Sequence, residues 1–168
     1  ARLPWLLVLM VSYVFTGGMI ASFEKSLSAV IALVAYMPIL MGTGGNSGTQ
    51  SSTVIITGMA TGDLELSDVL IVLWKEFRIG IIVGICVSIL NYMRIVAFDH
   101  NGSLVALTVC LSMVLIVIIA KCIGALLPMI AKKIGIDPAL IAGPMMASLT
   151  DMVALGTYFT MARLVLKI

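Results

Sequence analysis

The chain has 168 residues, of which 61% are hydrophobic and only 11% are charged. Soluble domains carry about 25% charged residues, so this chain has too few polar groups to cover a water-exposed globule of its size. The net charge of +2 comes from scattered basic residues, which excludes the basic surface that binds nucleic acid. The composition therefore predicts an all-α integral membrane protein rather than a soluble enzyme.

Apolar segments long enough to cross about 30 Å of hydrocarbon, at 1.5 Å per helical residue, follow one another along the whole chain. We predict five transmembrane helices in a single transmembrane domain, near residues 3–22, 27–60, 77–97, 103–130 and 138–166.

Several local signals refine these segments. Asp137-Pro138 offers a capping carboxylate and then proline at the first helical position, so we expect the fifth helix to begin at Pro138. In the third segment, a stripe of small residues spaced by four predicts close helix packing: Gly80, Gly84 and Ser88.

The orientation follows from the basic residues near the segment ends. The pair Lys132-Lys133 favours a cytoplasmic N-terminus and an external C-terminus. Because the chain begins at Ala1 within an apolar run that is long for a signal peptide, we expect a longer chain whose soluble domains precede it.

The cysteines predict no metal or disulfide site. They are odd in number, lie in apolar runs and form no Cys-x-x-Cys pair. We expect all three to be small buried packing residues, namely Cys86, Cys110 and Cys122.

A polar, glycine-rich stretch over residues 38–53 interrupts the second segment. Lipid would leave its amides without hydrogen-bond partners, so we expect it to face protein or a water-filled cavity. Asn46 and Gln50 lie one turn apart and offer side-chain oxygens, which favours the lining of a pore or site. The other interpretation is a tight helix contact through the small residues Gly44, Gly48 and Ser52.

Asp151 lies near the middle of the fifth segment, where an ionised carboxylate costs about 2.5–3.5 kcal/mol unless it has a cation, a partner or water. Ala147 and Gly143 precede it on the same helical face, and both are small enough to leave space beside the carboxylate. Pro144 lacks an N–H and would free a backbone carbonyl nearby. These features favour a site for a hydrated cation. The alternative is a structural ion pair with Lys121.

Lys121 itself has three interpretations from the sequence. Its long side chain can extend to the membrane surface, or it can pair with Asp151 or with Glu76.

These motifs together are specific to one family. They are the Gly-Thr-Gly-Gly-Asn-x-Gly core of residues 42–48, Lys75-Glu76, Asp137-Pro138-Ala139, Pro144 and Thr150-Asp151. With five apolar segments, they make the whole chain resemble the transmembrane domain of the MgtE family of magnesium channels and transporters.

The resemblance implies a homodimer in the lipid bilayer, with one pore on the two-fold axis lined mainly by helices two and five. It implies that Asp151 holds hydrated Mg²⁺, the transported ion. The other pore-lining positions that it implies are Gly143, Ala147 and Asn46, with the backbone at Gly42 and Gly45.

Two departures from the family pattern, at three positions, bear on ion selectivity. Family members often carry Thr-Thr before the aspartate and glycine three residues after it, where this chain has Ala147-Ser148 and Ala154. Family members usually also carry upstream cytosolic domains that sense Mg²⁺.

The sequence therefore predicts Mg²⁺ transport by a multi-pass protein of the cell membrane. The alternative is a secondary transporter that exchanges Mg²⁺ or another divalent cation for Na⁺ or H⁺. We do not expect an enzyme, because the sequence offers no second intramembrane group to act with Asp151.

Overall fold

The computed structural model describes residues 3–23, 31–99, 102–140 and 143–167, and every regular element in these ranges is helical. This confirms the all-α prediction. The long α-helices are α1 (Leu3–Ser22), α2 (Ala32–Thr61), α3 (Val69–Arg94), α4 (Ser103–Lys133) and α5 (Pro144–Leu166). Residues 27–30 and 141–142 of the predicted segments lie outside the described ranges.

Two helices begin at other residues than the sequence predicts. The third starts at Val69 rather than near residue 77, so residues 69–76 form one continuous helix with the predicted segment. The fifth starts at Pro144 rather than at Pro138. There is therefore no continuous helix in which Pro144 could free a carbonyl, and that expectation is wrong.

Two prolines explain the late start of α5. The Asp137 Oδ1 atom accepts a hydrogen bond from the Ala139 N–H at 2.9 Å and caps a single 3-10 turn, Pro138–Leu140. The α-helix then opens with Pro144 in its first turn, where the missing N–H has no intrahelical partner to lose.

The length and apolar composition of the helices are those of a multi-pass membrane protein. Three helical segments within the described residues are long and apolar enough to cross a membrane: Leu66–Asp99, Ser103–Lys133 and Met145–Leu166. The apolar stretch Leu9–Ser22 of α1 is shorter. α2 is long enough at 30 residues but carries the polar stretch in its centre.

α4 lies at the centre of the bundle, packed against α2, α3 and α5, whereas α1 packs against α5. The main apolar core joins α2, α4 and α5, and includes Leu33, Leu40, Met113, Ile116, Leu155 and Phe159. The Tyr158 hydroxyl donates to the Leu33 carbonyl at 2.9 Å and ties α5 to α2.

Small residues bring α3 against α4, as the stripe in the third segment predicts. A methyl group on Gly80 would lie 2.9 Å from the Ile118 Cα, so only glycine permits this approach. Ser88 Oγ donates to the Cys110 carbonyl at 2.9 Å, and Cys110 Sγ donates back to the Ser88 carbonyl at 3.4 Å. Such close contacts drive helix association where lipid removes the hydrophobic effect between helices.

The cysteine prediction is correct for Cys110, which is buried, and wrong for Cys86, which is exposed on the outside of α3. Cys122 is half-buried. Hydropathy could not separate them, because a weakly polar thiol is tolerated on a lipid-facing surface as well as in a packed core.

Candidate functional site

The polar stretch of α2 has one packed face, formed by its small residues. A methyl group on Gly44 would touch Ile116 of α4 and Ala154 of α5. One turn later, Gly48 lies against the Ala120 carbonyl of α4 and the Thr150 side chain of α5. The tight helix contact that the sequence offered as one interpretation is therefore real, but it uses only this face.

The other face of α2 carries polar side chains that the protomer leaves uncovered. Asn46, Thr49, Gln50 and Thr53 line an open groove of about 630 Å³, together with Val54. Asn46 and Gln50 are exposed. An amide in contact with lipid would lack hydrogen-bond partners, so this face requires water or further protein.

Sequence analysis missed Thr49 and Thr53 as members of this groove. Both recur on the helical face of Asn46 and Gln50 at spacings of three and four residues, which is the signal that would have found them. The Thr53 hydroxyl has a partner within the helix, since its Oγ1 donates to the Thr49 carbonyl at 2.9 Å.

Asp151 lies in the second turn of α5 and is half-buried in the protomer. Within the described part of the chain, its carboxylate has no hydrogen bond and no ion pair. Ala147, one turn earlier, is half-buried, and Gly143 is exposed just before the helix. The Ala147 N–H donates to the Gly143 carbonyl at 3.2 Å, so that carbonyl already belongs to the first turn of α5.

α2 and α5 meet beside this aspartate. A methyl group on Gly45 would lie 3.7 Å from Oγ1 of Thr150, the residue before Asp151. Gly42 lies three residues earlier on α2, is exposed and has nothing close to it. The structure thus brings Gly45 next to the aspartate-bearing turn and leaves Gly42 on an open surface.

Lys121 pairs with Glu76 and not with Asp151. Its Nζ lies 3.5 Å from Glu76 Oε2, and both side chains are buried. This resolves the three interpretations of Lys121 and excludes extension to the surface. It also removes the alternative in which Lys121 neutralises Asp151.

No group of three or more His, Cys, Asp or Glu side chains within the described ranges could enclose a bare metal ion.

Comparison with known proteins identifies the family. Residues 37–161 match the family model MgtE, described as a divalent cation transporter. The chain belongs to the MgtE family. This stretch contains α4, almost all of α2, the whole of α3 and most of α5, and it includes both Asn46 and Asp151.

Three relatives extend the MgtE match to nearly the whole chain, and each is named "Magnesium transporter MgtE". The protein of Thermus thermophilus is 41% identical over 99% of this chain, and that of Bacillus subtilis is 34% identical over 96%. The Enterococcus faecalis protein is 28% identical over 99%. The chain spans 37%, 36% and 36% of the length of these three relatives.

Proposed function

We propose that this chain forms a pathway for Mg²⁺ across the cell membrane, lined by α2 and α5. The observation that carries the proposal is the uncovered polar face of α2, with Asn46 and Gln50 in an open groove. A transport pathway supplies the water that these amides need. The names of the three MgtE relatives support Mg²⁺ as the transported ion.

Asp151 is the proposed binding group for the ion. Mg²⁺ gives up its water reluctantly, so the hydrated ion would enter and its waters would donate hydrogen bonds to the carboxylate. Among the described residues Asp151 has no charged partner, which supports this role, because Lys121 is already neutralised by Glu76. The further lining positions in this proposal are Gly143, Ala147, Asn46, Gly42 and Gly45.

A homodimer completes the proposed pathway. One protomer leaves both the α2 groove and the Asp151 region partly open. A two-fold axis beside them would place a second copy opposite the first and bring two carboxylates to one hydrated ion. Two negative charges balance the charge of one divalent cation.

Membrane potential is sufficient to drive the ion inward. A potential of 100 mV, inside negative, favours entry of a divalent cation by about 4.6 kcal/mol, twice the value for a single charge. Uptake that follows an imposed potential without a gradient of Na⁺ or H⁺ would distinguish this pathway from a coupled exchanger.

Replacement of the carboxylate tests the proposal. In proteoliposomes containing the full-length protein, we expect Asp151→Asn to lower Mg²⁺ uptake by at least about tenfold, because one of the few charged contacts of the ion is lost. The matched control is Ser148→Ala, on the same helix, whose buried hydroxyl has no partner. Wild-type uptake by Asp151→Asn would remove the aspartate from the pathway.

A further inference from the structure

Three helices meet at a buried polar cluster that the proposed pathway does not use directly. Ser51 Oγ of α2 donates to Glu76 Oε2 of α3 at 2.6 Å. Lys121 Nζ of α4 donates to the same Ser51 Oγ at 3.2 Å and lies 3.5 Å from Glu76 Oε2. The exposed fractions are 2% for Ser51 and 6% for each charged residue, so the cluster is closed to solvent.

A buried ion pair is an expensive way to join helices. The loss of hydration of both ions offsets much of their attraction, so apolar side chains of similar volume would stabilise the contact at least as well. A buried polar group can instead specify one arrangement of helices among several, as it does in helical bundles with a single buried polar position.

The middle turns of α2, between the buried side chains of Leu40 and Ile55, offer few side chains that could specify such an arrangement. At Gly48 the α2 backbone lies directly against Gly124 of α4, and at Gly44 it meets Ile116 without a side chain of its own. Interdigitated side chains normally fix the rotation of one helix against another. A helix surface made of glycine has no side chains that resist rotation of the helix. A hydrogen bond does resist it, because the bond weakens when its angle changes.

Ser51 provides such a hydrogen bond from α2, to Glu76 of α3. It follows Gln50 in sequence, so about 100° of helical rotation separates the buried hydroxyl from the amide in the groove. Any rotation of α2 that moves Gln50 away from the groove must pull Ser51 from Glu76.

We infer that Ser51, held by Glu76 and Lys121, is a positioning residue that sets the rotation of α2 and so presents its polar face to the ion. The inference rests on the proposed pathway for its effect on transport. Its effect on helix orientation can be measured without transport.

The orientation test uses a cysteine at Gln50 in a full-length protein without native cysteines, and its modification by a water-soluble thiol reagent in membranes. We expect Ser51→Ala to slow the modification of Gln50→Cys by about tenfold, the effect of losing one hydrogen bond to a charged group. The matched control is Ser52→Ala, the adjacent buried serine, whose hydroxyl has no hydrogen-bond partner among the described residues. The control should change the rate less than about twofold, since it removes no such bond.

The transport test uses the same pair of variants. Ser51→Ala should lower the ratio of Mg²⁺ to Ca²⁺ flux, and Ser52→Ala should leave it unchanged. A merely structural role would lower both fluxes together with the amount of folded protein. A wild-type labelling rate and flux ratio in Ser51→Ala, or equal effects of both serine variants, would overturn the inference.

A second variant keeps the test decisive if Ser51→Ala folds poorly. The double change Glu76→Gln with Lys121→Met removes both charges but leaves an amide oxygen that can accept from Ser51. We expect it to keep the labelling rate of Gln50→Cys, and a loss of labelling would contradict the role of the hydrogen bond. If Asp151→Asn still transports Mg²⁺, the proposed pathway fails while the labelling result still decides the orientation of α2.

Discussion

At the scale of single residues, three charged groups of the inner helices, Glu76, Lys121 and Asp151, fall into two kinds. Glu76 and Lys121 are buried and neutralise each other, whereas Asp151 is half-buried and unpaired among the described residues. The sequence places Lys121 and Asp151 inside apolar segments and Glu76 just before the third segment, and it does not say which pair forms. That choice depends on the arrangement of three helices and on Ser51 between them.

The buried pair leads to a prediction for stability. Lys121→Met should lower the free energy of unfolding by about 3–5 kcal/mol, because it leaves the Glu76 carboxylate charged and buried without its cation. The double change Glu76→Gln with Lys121→Met should be markedly less destabilising, since it removes both charges together. Thermal unfolding of the detergent-solubilised protein measures both, and equal losses would show that the ion pair is not the cause.

A second prediction concerns the glycine contact between α2 and α4. A methyl group on Gly124 would collide with the backbone carbonyl of Gly48, which cannot move without shifting the helix. Gly124→Ala should therefore destabilise the protein by about 1–3 kcal/mol in the same unfolding measurement. Gly17→Ala is the control, since nothing lies close to that position and alanine favours the helix. An unchanged melting temperature for Gly124→Ala would show that the helices can separate at little cost.

At the scale of whole elements, α2 is the long helix that carries a polar stretch at its centre. Its packed face could be recognised from Gly44, Gly48 and Ser52, and its polar face from Asn46 and Gln50. Spacing alone did not show that a packed face and an uncovered polar face lie on opposite sides of one helix. The neighbouring helices decide which side is covered, and this requires the tertiary structure.

The polar face of α2 and the apolar outer face of α3 should differ in their access to water. Cysteines at Asn46, Gln50 and Thr53 should react with a water-soluble thiol reagent in intact membranes. Cysteines at Ile82 and Ile89, equally uncovered on α3, should not react, because we expect lipid rather than water around them. Equal protection of both sets would mean that further protein or lipid, and not water, covers the polar face of α2.

The start of α5 shows the limit of local signals. Asp137-Pro138 has the chemistry of a helix start, and it does begin a helical turn. Pro144 competes as a second start six residues later and opens the longer helix. Two signals of equal quality cannot be ranked from the sequence, and the packing of α5 against α2 and α4 favours the later one.

At the scale of the whole molecule, the protomer leaves a polar groove open on a membrane-embedded bundle. We therefore predict that the full-length protein is a dimer in detergent and in bilayers, which native mass spectrometry measures. Asp151→Asn should remain dimeric, because the proposed effect of this change is on the ion and not on folding. A monomer that transports Mg²⁺ at the wild-type rate would contradict the shared pathway.

The all-helical class, the MgtE family resemblance and the polar residues that are unfavourable in lipid, Asn46, Gln50, Lys121 and Asp151, could be predicted from the sequence alone. These follow from composition and from the unfavourable free energy of polar groups in lipid. Both are properties of a single segment and do not depend on its neighbours. The tertiary structure was needed to show which face of α2 is covered, that Glu76 neutralises Lys121, and that Asp151 has no charged partner among the described residues. Partners and coverage depend on contacts between helices far apart in the chain, and no local pattern encodes those contacts.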